Sequence, residues 1–363
     1  MSSASRFAPA GAFAREINAK GHALLAGQSR FADPSQFAIA ALFAGLGLAA
    51  YGLLLAGAPH APLLVMAAAF CAFMLIVQLG HDAAHGALSP RPWVNRAALF
   101  ASFGVLGVDG MLWRDRHIRL HHQVVNLPGT GIDADSISVF RLAPDKPWRW
   151  WMRLQPVYGP LLYAIGHLHL AWIEDFAAFR AARRRRGFSG AGPLAGFAGG
   201  KLVHVILFLL LPWLARRPSP EDLALGYLLA SAVIALCFVV LVVGTHVSDL
   251  AAFPQADARG RLPHDWATHQ LITSVDWSPQ SRLAVLLTGG ANAHAAHHLF
   301  PGHHHRHMAA LSGLIGETAA AHGLPHHVTS FAGMVRGQWR HLVALSRPEA
   351  GSIICDSGRR HPA

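Results

Sequence analysis

Apolar residues run almost unbroken through four stretches, at about 37–58, 62–80, 200–215 and 223–243. A helix needs roughly 17 to 25 such residues to cross the hydrocarbon of a bilayer, so each stretch predicts a span. Short polar connections join them in pairs. The first lies around His60 and Pro62, and the second runs from Arg216 to Asp222 with Pro218 and Pro220. The predicted architecture is therefore all-α and integral to the membrane, with four transmembrane helices in two hairpins. Each hairpin returns the chain to its starting side, so the long segments His81–Gly199 and Thr245 onward share one compartment with both termini. Two weaker apolar stretches, about 97–112 and 155–173, carry too many interruptions to span. Pro156, Pro160, His167 and His169 break the second, which predicts helices lying in the membrane interface.

Composition agrees with that class. The 363 residues are 53% hydrophobic and 13% charged, against roughly 25% charged in soluble domains. The net charge of +11 peaks at Arg183, Arg184, Arg185 and Arg186, with Arg180 one turn earlier. Beside apolar spans such a run suits anionic headgroups better than nucleic acid, and it assigns the shared compartment to the cytoplasmic side. Cys71 and Cys237 sit inside apolar stretches and Cys355 near the end, so neither a disulfide framework nor a thiolate zinc site is indicated. No removable signal peptide is expected at the start. The chain divides into a cytosolic N-terminal segment (1–34), one membrane domain (35–345) and a polar tail (346–363).

The candidate chemistry lies in histidine. Of 25 histidines, eight form three groups at the borders of the apolar blocks: His81 and His85; His117, His121 and His122; His294, His297 and His298. Histidines four apart on a helix share a face and can grip one metal together. An adjacent ring points about 100° further round an α-helix, so a doubled histidine can serve two metals. Any one group could be a satisfied polar cluster. Eight together exceed the three or four ligands of a lone zinc site, and two metals account for them. Imidazole suits zinc, copper, iron and nickel, and ligation by nitrogen without cysteine would leave iron reactive toward oxygen rather than confined to electron transfer. His246, just past the fourth stretch, reads as a further ligand. His303, His304, His305 and His307 read as a solvated strip facing headgroups, and His167, His169, His204, His264, His269, His326 and His327 as mostly structural. Ligating imidazoles need a partner for their second nitrogen, for which Asp82, Asp249, Asp276 and Asn292 are candidates.

These residues resemble the membrane fatty acid desaturases, whose pattern is HDxxH, then HxxHH or HxxxHH, then Gln or His followed by xxHH. Gly80-His81-Asp82-Ala83-Ala84-His85-Gly86 resembles the first box. Trp113-Arg114-Asp115-Arg116-His117 leading to His121, His122 and Asn126, with Asp133 and Asp135 following, resembles the second. Gly289-Gly290-Ala291-Asn292-Ala293-His294-Ala295-Ala296-His297-His298-Leu299-Phe300-Pro301 resembles the third. The likeness covers about residues 35–345. It implies four spanning helices under a cytosolic helical cap with a di-iron centre (Fe2+/Fe3+). The implied ligands are His81, His85, His117, His121, His122, His246, His294, His297 and His298.

It also implies O2 as co-substrate and a cis double bond placed in a fatty acyl chain carried by CoA, acyl carrier protein or a lipid ester. The chain has no His-Pro-Gly-Gly haem motif, so electrons are expected from a separate donor such as a ferredoxin with its NAD(P)H reductase. His294 stands where front-end relatives usually have Gln, which leaves the position of the double bond open. A hydroxylase, ketolase or acetylenase using the same boxes is the nearest alternative. A non-catalytic membrane metal carrier is the alternative from another class, although carriers usually place ionisable residues mid-span and these spans hold almost none apart from His204.

Overall fold

Asp33 and Pro34 open the first long apolar helix. The Asp33 carboxylate accepts the Ser35 amide at 2.9 Å, Pro34 occupies the first turn, and Gly57 closes the helix in the left-handed region at φ 83°. These are ordinary start and stop devices. The computed structural model describes residues 6–127, 139–184 and 188–348. Asp133, Asp135, Arg185, Arg186 and Cys355 lie outside the described residues.

The described chain is mostly helical. Four of its helices are long and apolar enough to cross a membrane: Pro34–Ala56 (α2), Ala61–Ala84 (α3), Ala191–Arg216 (α7) and Pro220–Thr245 (α8). Ala12–Leu25 (α1) precedes them. Pro92–Val105 (α4) and Gly110–Val124 (α5) follow α3, and Asp175–Ala182 (α6) precedes α7. After α8 come Trp266–Ile272 (α9), His294–Leu299 (α10), Met308–Ala321 (α11) and Phe331–Leu345 (α12). Two three-residue strands, Val275–Trp277 (β1) and His327–Thr329 (β2), pair in parallel with Asp276 opposite Val328.

The chain forms two compact units. The first holds 31–115 and 161–239, the second 1–30, 116–160 and 240–363. In the first unit α2 and α3 pack together, and a Cβ on Gly47 would come within 2.9 Å of the Cys71 Cβ. Small residues bring helices close where hydrophobic area gives no preference between protein and lipid. Leu42 is 59% exposed and Leu48 71%, an apolar face that water would penalise and lipid would not. Near its end α3 loosens into a π turn, Ile76–Gly80, immediately before His81. A Cβ on Gly80 would meet the Ser102 hydroxyl at 2.4 Å, so glycine lets α4 approach there.

The second unit gathers three distant segments around one core. Phe13, Ile17 and Leu25 of α1 are buried with Ala295, Ala296 and Phe300 and with Met308, Leu311 and Ile315 of α11. A Cβ on Gly21 would stand 2.2 Å from the Phe300 ring, so α1 lies flat against the end of α10 only because residue 21 has no side chain. The Asp265 carboxylate accepts the Gly11 amide at 3.2 Å and caps α9 through the Thr268 amide.

Candidate metal centre

Each histidine group rides on a local irregularity. The turn His117–His121 is π-helical, and the His122 amide reaches back to the His117 carbonyl. Wide turns of this kind are frequent at functional sites. Here one brings residues five apart into line, so His122 Nε2 lies 3.1 Å from His117 Nε2, while the His117 and His121 rings stack at 5.0 Å. The adjacent His121 and His122 rings stay apart, with centroids 5.5 Å from each other and planes at 85°. The third group begins after Gly289 and Gly290, at φ 56° and 74°, where only glycine turns the chain without strain. A Cβ on Gly290 would also strike the His305 backbone oxygen at 3.0 Å.

His246 follows the short turn Val243–Thr245 at the end of α8. Its Nδ1 lies 2.7 Å from the Thr273 carbonyl oxygen. His294 Nδ1 lies 2.9 Å from the Ala291 carbonyl oxygen, and His298 Nδ1 2.8 Å from Gln270 Oε1. These oxygens only accept, so each Nδ1 carries the proton and each Nε2 keeps a bare lone pair. Yet His294 Nε2 is 2.7 Å from His246 Nε2, which is 3.0 Å from His298 Nε2. Lone pairs that converge so closely repel unless a cation sits among them. The coordinating nitrogens of His121, His246, His294 and His298 all lie within 4.8 Å of one another. Burial, then the neighbouring His122, His246, His294 and His121, pushes His298 well below the usual histidine pKa. A ligand must be neutral.

His297 extends the cluster, with its ring 4.7 Å from that of His122 and 6.0 Å from that of His117. Seven of the nine candidate ligands thus meet in the second unit. His81 and His85 belong to the first unit, one turn apart with rings 5.1 Å from each other, and the Trp113 ring stands 6.1 Å from His81.

The supporting atoms differ from expectation. Thr273, Ala291 and Gln270 hold the second nitrogens of His246, His294 and His298, and none of these was among the four candidates. Asp276 acts one step away. Fully buried, it accepts the Ala295 amide at 2.9 Å, the Ser312 hydroxyl at 2.6 Å and His326 Nε2 at 3.0 Å, so it seats the start of α10. Asn292 ties the same turn to Trp277 and Ser278. Asp249 lies at the surface, 3.7 Å from Arg340, and Asp82 is buried.

Asn126, at φ 53°, donates from Nδ2 to the carbonyls of His246 and Ala252 at 3.0 and 3.1 Å, binding the second group to His246. Trp266 Nε1 donates to the His122 carbonyl at 3.2 Å. His304, His305 and His307 are buried, which corrects the reading of a solvated strip. Two of them are fastened to the N-terminal segment, the His304 amide on the Arg30 carbonyl and the His307 ring, through Nε2, on the Ser29 carbonyl.

The family model for fatty acid desaturases matches residues 56–330. The chain belongs to that family, enzymes that place double bonds in acyl chains. It is 27% identical over 288 residues to the acyl-lipid (8-3)-desaturase of Physcomitrium patens, covering 75% of this chain and 58% of the moss protein. It is 27% identical over 282 residues to the sn-1 linoleoyl-lipid 6-desaturase of Arthrospira platensis, covering 76% and 75%. With the enzyme of the same name from Synechocystis sp. (strain ATCC 27184 / PCC 6803 / Kazusa) identity is 26%, covering 78% and 79%. The chain therefore spans little more than half the moss protein and about three quarters of the cyanobacterial ones. A desaturase with clustered imidazoles and no thiolate among them fits an iron centre.

Proposed function

We propose that this protein desaturates a fatty acyl chain, using O2 and a pair of irons held by His81, His85, His117, His121, His122, His246, His294, His297 and His298. One observation carries the reading: His246, His294 and His298 each commit Nδ1 to an acceptor and turn a bare Nε2 onto one point. When bound, the irons supply the oxygen activation that removing hydrogen from a methylene requires. The chain's own part is to hold neutral ligands, fix their rings and keep water out. His122, His246, His294, His297 and His298 are all buried, so the reactive side is dry and competing hydrolysis or proton leakage is suppressed.

The topology proposed is two hairpins beneath a helical cap on the cytoplasmic side. The exposed Arg180, Arg183 and Arg184 support that orientation under the positive-inside rule. Lipid esters are the proposed acyl carriers, because the relatives bear acyl-lipid names. Electrons come from a separate ferredoxin-type donor.

Expression in a host of known lipid profile, followed by mass spectrometry of its esterified fatty acids, tests the reading. A new double bond is expected, with about two irons per purified chain. An oxygenated product would assign the chain to the hydroxylases, and zinc alone with unchanged lipids would reject the enzyme reading.

A further inference from the structure

The buried carboxylate of Asp276 uses its two oxygens unequally. Oδ1 accepts the Ala295 amide at 2.9 Å, while Oδ2 accepts both the Ser312 hydroxyl at 2.6 Å and His326 Nε2 at 3.0 Å. A carboxylate shut away from water needs such donors, and removing one leaves lone pairs bare in a dry place. The oxygen only accepts, so His326 Nε2 carries the proton. The His326 side chain is itself 7% exposed. All of these groups belong to the second unit.

Four elements build the arrangement. Asp276 is the middle residue of β1, and His326 directly precedes β2, which runs parallel to β1 with Val275 opposite His327. That register carries His326 to the flank of Asp276. From α11 come Ser312 and, four residues on, Gly316, where a Cβ would stand 3.0 Å from His326 Nδ1. Residues four apart share a face of a helix, so one face of α11 supplies both a donor and the room for the ring. The fourth element is α10. It has only six residues, and Ala295 sits between His294 and the His297–His298 pair.

Two rungs tie β1 to this short helix and the turn before it: Asp276 Oδ1 to the Ala295 amide, and the Trp277 amide to the Asn292 carbonyl at 2.8 Å. The amide that Oδ1 holds lies in the rigid peptide plane joining His294 to Ala295, so its direction sets that of the backbone bearing the ligand. Two donors on Oδ2 stop the carboxylate from turning about its last bond. Oδ1 is thereby aimed. A catalytic constellation tolerates misplacement of about 0.5 Å, and loss of either donor frees the group that sets α10.

We propose that His326 is a positioning residue for the third histidine group: with Ser312 it fixes the Asp276 carboxylate, which holds the start of α10 and so aims His294, His297 and His298. The inference rests on those histidines being metal ligands. The test compares wild type, His326→Leu, His326→Gln and Ser312→Ala as full-length, detergent-purified protein. Cobalt(II) affinity by competition with a chelator, the visible ligand-field spectrum of the cobalt form, and the melting temperature are measured.

His326→Leu is expected to bind cobalt about tenfold more weakly, the low end of what losing a group that supports a ligand costs, and to alter the spectrum. The side-chain amide of His326→Gln can donate where Nε2 stood, so this variant should recover at least threefold of the affinity and the wild-type spectrum. Ser312→Ala removes the other donor to Oδ2 and should shift the spectrum as His326→Leu does; it decides the matter if His326→Leu does not fold. A side chain that only stabilised the fold would lower the melting temperature and leave cobalt affinity and spectrum unchanged in the folded fraction. That result in His326→Leu, or in Ser312→Ala where His326→Leu fails to fold, would overturn the proposal. Wild type that takes up no cobalt and no iron would instead overturn the ligand assignment.

Discussion

His246→Ala is expected to form no detectable unsaturated product and to lose metal from the purified protein, while remaining folded and membrane-inserted. The effect should be large because His246 is the meeting point of its cluster, with Nε2 within 3.0 Å of both His294 and His298. Removing it leaves two bare nitrogens facing a gap. Weakening a ligand's supporting partner already costs 10 to 100-fold in metal affinity or activity, and loss of the ligand itself should exceed that. Folding should survive, since the substitution removes the Nδ1 contact with the Thr273 carbonyl but leaves the His246 carbonyl's hydrogen bond from Asn126 in place. His22→Ala, on the exposed face of α1, is the matched control and should keep full activity. Iron analysis beside product analysis checks the result. Full metal content and activity in His246→Ala would remove His246 from the ligand set.

Gln270→Leu should reduce activity by about 10 to 100-fold with little change in global stability. The Gln270 side chain is buried and its Oε1 is the acceptor for His298 Nδ1. Leucine is similar in volume but accepts nothing, so the His298 ring is free to turn or to change tautomer, and its Nε2 no longer has a fixed direction. Gln270→Glu keeps an acceptor at that position and should retain more activity than Gln270→Leu. The informative measurement is iron affinity by competition with a chelator, compared across the three proteins. Equal affinity in all of them would mean that the Gln270 contact does not orient the ligand.

Much of this was legible in the sequence for plain reasons. Continuous apolar runs have one cheap solution in lipid, so all four long helices appeared where expected, within a few residues of the bounds except that the third begins nine residues earlier, at Ala191. The histidine groups were visible because their close spacings recur three times, each at the border of an apolar block. His246 was legible from its place just past a span.

The supporting atoms were not legible. Two of the three acceptors behind the ligands are backbone carbonyls, and a carbonyl leaves no trace in residue identity. Gln270 belongs to α9 and reaches His298 only through tertiary packing. The π turn at His117–His121 was also hidden, since a widened turn and an α turn share the same spacing until the hydrogen bonds are known. The histidines after Pro301 misled for a related reason. A polar run beside a membrane boundary reads as solvated, but contact with Ser29 and Arg30 buries most of it.

The contact between Gly21 and Phe300 bears on how the protein is made. The ring against which α1 rests is encoded 279 residues after the glycine that receives it. A ribosome has therefore made all four long apolar helices before that core can close. His294, His297 and His298 emerge equally late, after the four long apolar helices have been synthesised. Long-range closure of this kind is intrinsically slow. A chain stopped before residue 294 consequently lacks the third histidine group. That order of synthesis gives the four long apolar helices time to leave the ribosome before the histidine cluster can close.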